Sequence, residues 1–221
     1  MIRAVLFDLD GTLLDRDAAS ERWFRSVLAR RTDLFVADQR EQTLARFLDL
    51  DAHGYNDRAQ FCRDVLAEFP GLSESPAIFW HEFTTGLAAN VQLESPVRAL
   101  LDRLCARMPV AILTNGSRRT QRAKLAAAQL EHLTTFISEE IGLEKPDSAA
   151  FRHALGQMGI EDPSEVLFVG DDPVRDIQGA HGAGLRTCWV SRGRTWSLEA
   201  TSPEWTVRHV SELESFEELH G

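Results

Sequence analysis

Apolar and polar positions follow two rhythms along this chain. At the start, Ile2, Val5, Leu6, Phe7 and Leu9 form a nearly continuous apolar run, the pattern of a parallel strand covered by helices on both faces. The rhythm then changes to helical spacing. Residues 17–31 pair Trp23 with Val27 and Phe24 with Leu28, and residues 38–50 set Leu44, Phe47 and Leu48 on one stripe. Residues 57–69 repeat the pattern with Phe61, Val65, Leu66 and Phe69, and residues 75–88 start a fourth helix behind Ser75 and Pro76. Four helices with no strand among them predict an inserted helical subdomain over 16–94.

From Ser95-Pro96, read as an N-cap followed by a first-turn proline, helices and strands alternate. The pattern predicts a helix from Pro96, a strand at 110–114, a helix at 118–130, a short strand at 136–138 and a helix at 147–158. It continues with strands at 166–171 and 186–191 flanking a helix at 174–183, an edge strand at 205–210, and a terminal helix at 212–220 capped by Ser211. This alternation predicts an α/β fold, a doubly wound, Rossmann-like parallel sheet over 1–15 and 95–221 interrupted by the all-helical insertion.

Composition narrows the function. Of 221 residues, 43% are hydrophobic, enough for a packed core, and the net charge is −10 with no basic run. That balance argues against a nucleic acid polymer or an anionic membrane as partner. Cys62, Cys105 and Cys188 are odd in number and widely spaced, which favours reduced thiols over disulfides or a zinc site. The seven histidines show no metal-binding spacing. With neither an export signal nor an 18-residue apolar stretch in the sequence, a cytoplasmic protein is expected. Oligomeric state is not readable at this level.

An acid inside the first apolar run needs a reason, because a buried, unpaired carboxylate is costly. In open α/β sheets the crevice lies beyond the carboxyl ends of the strands. There the first strand delivers Asp8, Asp10 and Gly11, and VAILTNG delivers Thr114, Asn115 and Gly116. Lys145 arrives before a helix start, and VLFVGDD brings Asp171 and Asp172. Each piece could be an ordinary turn or cap, but four unrelated turns have no reason to offer complementary charges at one sheet edge. Lysine is rare here: among 24 basic residues only Lys124 and Lys145 are lysines. A compact ammonium at 145 therefore suggests a place where a guanidinium does not fit. Lys124 falls in a helix and is assigned no role.

FDLDGT, LTNG, the Lys145-Pro146 pair and GDDPVRD, in that order, resemble the four motifs of the haloacid dehalogenase (HAD) superfamily, phosphatase branch, across the whole chain. The resemblance implies that Asp8 attacks phosphorus to form an aspartyl-phosphate, while Asp10 protonates the leaving group and later takes a proton from water. It implies Mg2+ held by the Asp8 carboxylate, the Asp10 backbone carbonyl, Asp171, waters and a substrate oxygen. It also implies that Lys145 balances charge and that Thr114, Asn115 and Gly116 hold phosphate oxygens, the substrate being a small phosphorylated metabolite. Asp176 is expected to support the ion indirectly, and Asp172 is ambiguous. Trp23, His53, Tyr55, Trp80 and His81 are the large or polar candidates in the insertion, the tryptophans being expected to pack its core.

Rival readings remain. Dehalogenases and phosphonatases lack a carboxylate two residues after the nucleophile, so Asp10 favours phosphate esters. A phosphomutase of the sugar type carries a histidine where this chain has Ser20. A receiver-type phosphoacceptor domain shares the residue types but lacks the helical insertion and has its acceptor on an interior strand.

Overall fold

The six strands of the sheet are all parallel and run in the order β3-β2-β1-β4-β5-β6. They are β1 (Ala4–Phe7), β2 (Val110–Thr114), β3 (Thr134–Ile137), β4 (Val166–Gly170), β5 (Arg186–Val190) and β6 (Trp205–Val207) in a computed structural model that describes residues 1–219. His220 and Gly221, the end of the expected terminal helix, lie outside the described residues.

Every residue of β1 is buried. Ala4 and Leu6 join one apolar cluster with Ala111, Leu113, Val166 and Phe168, against Ala150, Phe151, Ala154 and Leu155. Val5 and Phe7 alternate to the opposite face, as a period of two requires. Covered on both faces, β1 can be apolar throughout, which explains its sequence pattern. The chain winds outward from β1 through β2 to β3 and then returns to β4 on the other side of β1. The gap between β1 and β4 is thus the point where the winding reverses, and crevices open there.

By contacts the chain divides into two compact units, Met1–Asp15 with Leu93–Gly221, and Arg16–Gln92. The second consists of α1 (Arg16–Arg30), α2 (Arg40–Asp51), α3 (Arg58–Glu68) and α4 (Pro76–Asn90). Its core is aromatic. Trp23 lies 5.1 Å from Phe83 and 5.7 Å from Phe47, ring centre to ring centre, and Phe24 stacks on Phe47 at 3.9 Å. Gly86 lets α4 come close, since a Cβ there would overlap the Trp23 ring. Arg16 donates two hydrogen bonds of 2.6 Å to Asp51, which also accepts from the buried Ser20 hydroxyl at 2.9 Å. Trp23 therefore packs core as expected, and Ser20 serves the same unit's framework. Among the described residues no helix is long and apolar enough to cross a membrane.

In the α/β unit the helices are α5 (Ser95–Cys105), α6 (Arg118–Ala128), α7 (Ser138–Ile141), α8 (Ser148–Met158) and α9 (Gly179–Gly182). Several expectations change: the edge strand expected at 205–210 ends at Val207 and the short strand expected at 136–138 is Thr134–Ile137. Glu94, not Ser95, occupies the N-cap of α5, because Pro96 is tolerated anywhere in a first turn whose N–H groups lack partners. The helix expected at 174–183 is a π-helical turn, Pro173–Gln178, followed by α9. The terminal segment is 3-10, Val210–Ser215 and Glu217–Leu219, and its N-cap is His209, in a reciprocal capping box with Glu212. A histidine ring nitrogen accepts from Ser211 N there, a cap the usual Ser/Thr/Asp rule does not anticipate.

Candidate active site

β1 ends at Phe7, and the Asp8 amide still donates to Val169 O at 2.9 Å, so Asp8 is held where β1 and β4 part. Lys145 enters from the segment before α8. Its Nζ donates to Asp8 Oδ1 and to Asp176 Oδ1, both at 2.6 Å, and all three residues are buried. The lysine backbone is fixed by a reciprocal pair: Asn115 Nδ2 donates to Lys145 O at 2.8 Å and Lys145 N donates to Asn115 Oδ1 at 2.9 Å. The end of β2 thereby sets the position of the ammonium.

Asp171 follows β4. Together Asp8, Asp171 and Asp176 offer one carboxylate oxygen each, all within 4.8 Å of one another. Two glycines allow this crowding. At Gly11 (φ +83°) a Cβ would stand 2.6 Å from Asp171 Cγ, and at Gly170 one would stand 2.5 Å from Asp176 Cγ. The π-helical turn brings Asp176 inward, where its Oδ2 accepts from Asp172 N at 3.0 Å; such turns recur at functional sites. Asp172 is the cap of this turn and accepts from Val174 N and Arg175 N. Arg194 donates to Asp171 O at 2.7 Å and Oδ2 at 2.9 Å.

Asp8 and Asp176 share one buried ammonium while Asp171 pairs with Arg194, so three carboxylates meet two cations and the local charge is unbalanced. Burial weighs most on Asp8, and although Lys145 pulls the other way, burial with Asp176 and Asp171 pushes its carboxyl well above the usual range. Burial and then Asp176 push Asp171 up to about 6, against Arg194. Burial works to lower the Lys145 ammonium, but Asp176 and Asp8 outweigh it and hold it above the ordinary lysine value. A pocket of hard oxygen donors with surplus negative charge fits a hard divalent cation such as Mg2+.

The expected residues divide into two groups. Asp8, Lys145 and Asp171 converge, and Asp176, expected to act only indirectly, stands among them. Asp10 turns its carboxylate elsewhere: Lys124 Nζ donates to its Oδ1 at 2.8 Å and Oδ2 at 2.6 Å, and Gln121 Nε2 donates to Oδ2 at 3.0 Å. Gln121 Nε2 also donates to Thr114 Oγ1 at 2.7 Å. The Asn115 side chain is committed to the Lys145 backbone, and the Gly116 amide donates to Ser138 Oγ at 2.9 Å. Lys124, Gln121 and Arg194 are the members that sequence reasoning passed over. In α6 the structure turns Gln121, Lys124, Leu125 and Ala128 inward as its buried stripe, and a lysine on such a stripe must have a partner.

A family model described as haloacid dehalogenase-like hydrolase matches residues 2–184. Pyrimidine 5'-nucleotidase YjjG of Escherichia coli is 38% identical over 118 residues, so the match spans 52% of each chain. N-acylneuraminate-9-phosphatase of Rattus norvegicus is 28% identical over 96% of this chain and 92% of its own length. (S)-2-haloacid dehalogenase 2 of Pseudomonas sp. is 27% identical over 96% of this chain and 94% of its own. Among solved structures, the HAD-hydrolase YfnB of Bacillus subtilis bound to magnesium superposes with a TM-score of 0.79 at 25% identity, covering 96% of each chain.

Proposed function

The chain belongs to the haloacid dehalogenase-like hydrolases, and within that family we propose that it hydrolyses a small phosphomonoester with Mg2+ through an aspartyl-phosphate on Asp8. The observation that carries this reading is the buried Lys145 ammonium set 2.6 Å from both Asp8 and Asp176, beside Asp171. Asp8, Asp171 and Asp176 would hold the ion, which when bound would supply charge withdrawal at the transferring phosphoryl group. Lys145 orients the Asp8 carboxylate before substrate arrives and lowers the repulsion between an anionic nucleophile and an anionic ester.

In the first half-reaction an Asp8 oxygen bonds to phosphorus, the bond from phosphorus to the ester oxygen breaks, and Asp10 gives a proton to the departing alkoxide. In the second, water bonds to phosphorus, its proton passes to Asp10, and the bond from phosphorus to Asp8 breaks. The Thr114 hydroxyl and the Asn115 amide bind phosphate oxygens; the Gly116 amide, expected to join them, is taken by Ser138 Oγ, and the Asn115 side chain contributes through Lys145. The helical unit takes the part of a cap, selecting the organic half of the ester. Nucleotide and sugar-acid phosphates, the compounds named for the relatives, head the substrate panel.

Dehalogenation is the second reading, favoured by the Pseudomonas relative. Asp10 counts against it, because a departing halide needs no proton. A hydrolysis screen with Mg2+ over phosphomonoesters and 2-haloacids tests the choice. Phosphate release from wild type, with Asp10→Asn slower by about 10²–10⁴-fold, is expected; halide release without phosphate release would sink the reading.

A further inference from the structure

This chain uses lysine twice, and both lysines are buried against the two aspartates of its first motif. Lys145 serves Asp8. Lys124 has no such place in the reaction outlined above, yet it is only 4% exposed and grips both oxygens of Asp10.

Resting on the phosphatase reading, we propose that Lys124 and Gln121 are positioning residues that form a cradle on α6 for the carboxylate of Asp10. The geometry is specific. Gln121 and Lys124 are one turn apart on the buried face of α6, so both reach the same side chain. Lys124 spans the two carboxylate oxygens, and Gln121 adds a third donor to Oδ2. The same Gln121 amide donates to Thr114 Oγ1, at the end of β2, and to Asn115 O at 3.3 Å. Asp10 is thereby tied through one side chain to the turn that also fixes Lys145. An aspartate on a turn beside Gly11 would otherwise sample several rotamers, and proton transfer requires the donor at a defined place. The cradle removes that freedom and favours the ionised form of Asp10, so the proton that leaves with the alkoxide is taken up from the ester's own monoanion as one oxygen releases its donor.

The inference separates from mere structural support by leaving-group dependence. An activated aryl ester departs with little help from an acid, whereas phenyl phosphate needs the proton. The test measures kcat/KM of wild type, Lys124→Met, Lys124→Arg and Asp10→Asn on phenyl phosphate and 4-nitrophenyl phosphate with Mg2+. Lys124→Met should lose about tenfold or more on phenyl phosphate, part of the acid–base contribution, and less than about threefold on 4-nitrophenyl phosphate by the same reasoning. Lys124→Arg, which keeps the charge, should recover part of the loss. In the Asp10→Asn background Lys124→Met should cost nothing further, because the two act as a unit. Thermal unfolding of each variant separates folding from chemistry, and Gln121→Leu, keeping Lys124, repeats the test if Lys124→Met does not fold. Equal losses on both esters, no loss, a gain, or additive losses with Asp10→Asn would overturn the cradle while leaving the phosphatase reading intact. A wild type inactive on both esters would overturn both.

Discussion

The two units bury charge in opposite ways. In the helical unit Arg16 takes both oxygens of Asp51 in two short parallel hydrogen bonds, with Ser20 completing the carboxylate and Asp17 standing 3.6 Å from the same guanidinium. In the α/β unit one ammonium faces Asp8 and Asp176, with Asp171 alongside. The first arrangement is closed, since donors and acceptors match and nothing further is called for. The second is open. Its surplus charge works against the folded state until a cation balances it, which is how a binding site differs from a strut. Burial alone does not distinguish the two; the crowding of three carboxylates within 4.8 Å of one another does.

The comparison can be broken most severely at Asp8. Asp8→Asn should abolish turnover, measured as phosphate release, while raising the metal-free melting temperature, because it removes one of the crowded charges and keeps an acceptor for Lys145. A variant that keeps turnover would end the covalent mechanism. The mirror experiment is Asp51→Ala, which removes the bidentate partner of Arg16 and should lower stability by about 3–5 kcal/mol in denaturant titration. If Asp51→Ala were as stable as wild type, the closed pair would not be a strut. Next in size, saturating Mg2+ at about 100 times its dissociation constant should stabilise wild type by about 2.7 kcal/mol. Asp171→Asn should lose most of that gain and Asp51→Asn none of it, read by differential scanning calorimetry with and without EDTA. Equal responses would mean that the ion binds elsewhere. The smallest effect belongs to Asp172→Ala, which removes a helix cap at a cost of about 1 kcal/mol; a loss of Mg2+ response in this variant would give Asp172 a larger role than its hydrogen bonds do.

Much of this architecture could be read from the chain because strands buried on both faces leave apolar runs and amphipathic helices leave stripes. β1, β2, β4 and β5 all follow from such runs. The π-helical turn could not be read this way: one extra residue per turn leaves no periodic trace over six residues, and it is this turn that carries Asp176 into the carboxylate cluster. The convergence of Asp8, Lys145 and Asp171 was legible from strand-end position. Lys124 and Gln121 were not, because a helix reading RRTQRAKLAAA is polar enough to pass for a solvent-facing one, and only the partner, Asp10, reveals which face turns inward. Asn115 illustrates the converse: its place beside Thr114 suggested a ligand for phosphate, whereas its side chain orders the backbone of Lys145.

β1 precedes β2 and β4 along the chain yet sits between them in the finished sheet. Translation runs from the N-terminus, so its hydrogen-bonding edges have nothing to meet until Val110 and then Val166 have emerged. All four long helices of the insertion are complete before then. A ribosome-bound chain therefore carries a greasy segment with an open edge until Val166 has emerged, while the helical unit can already mature.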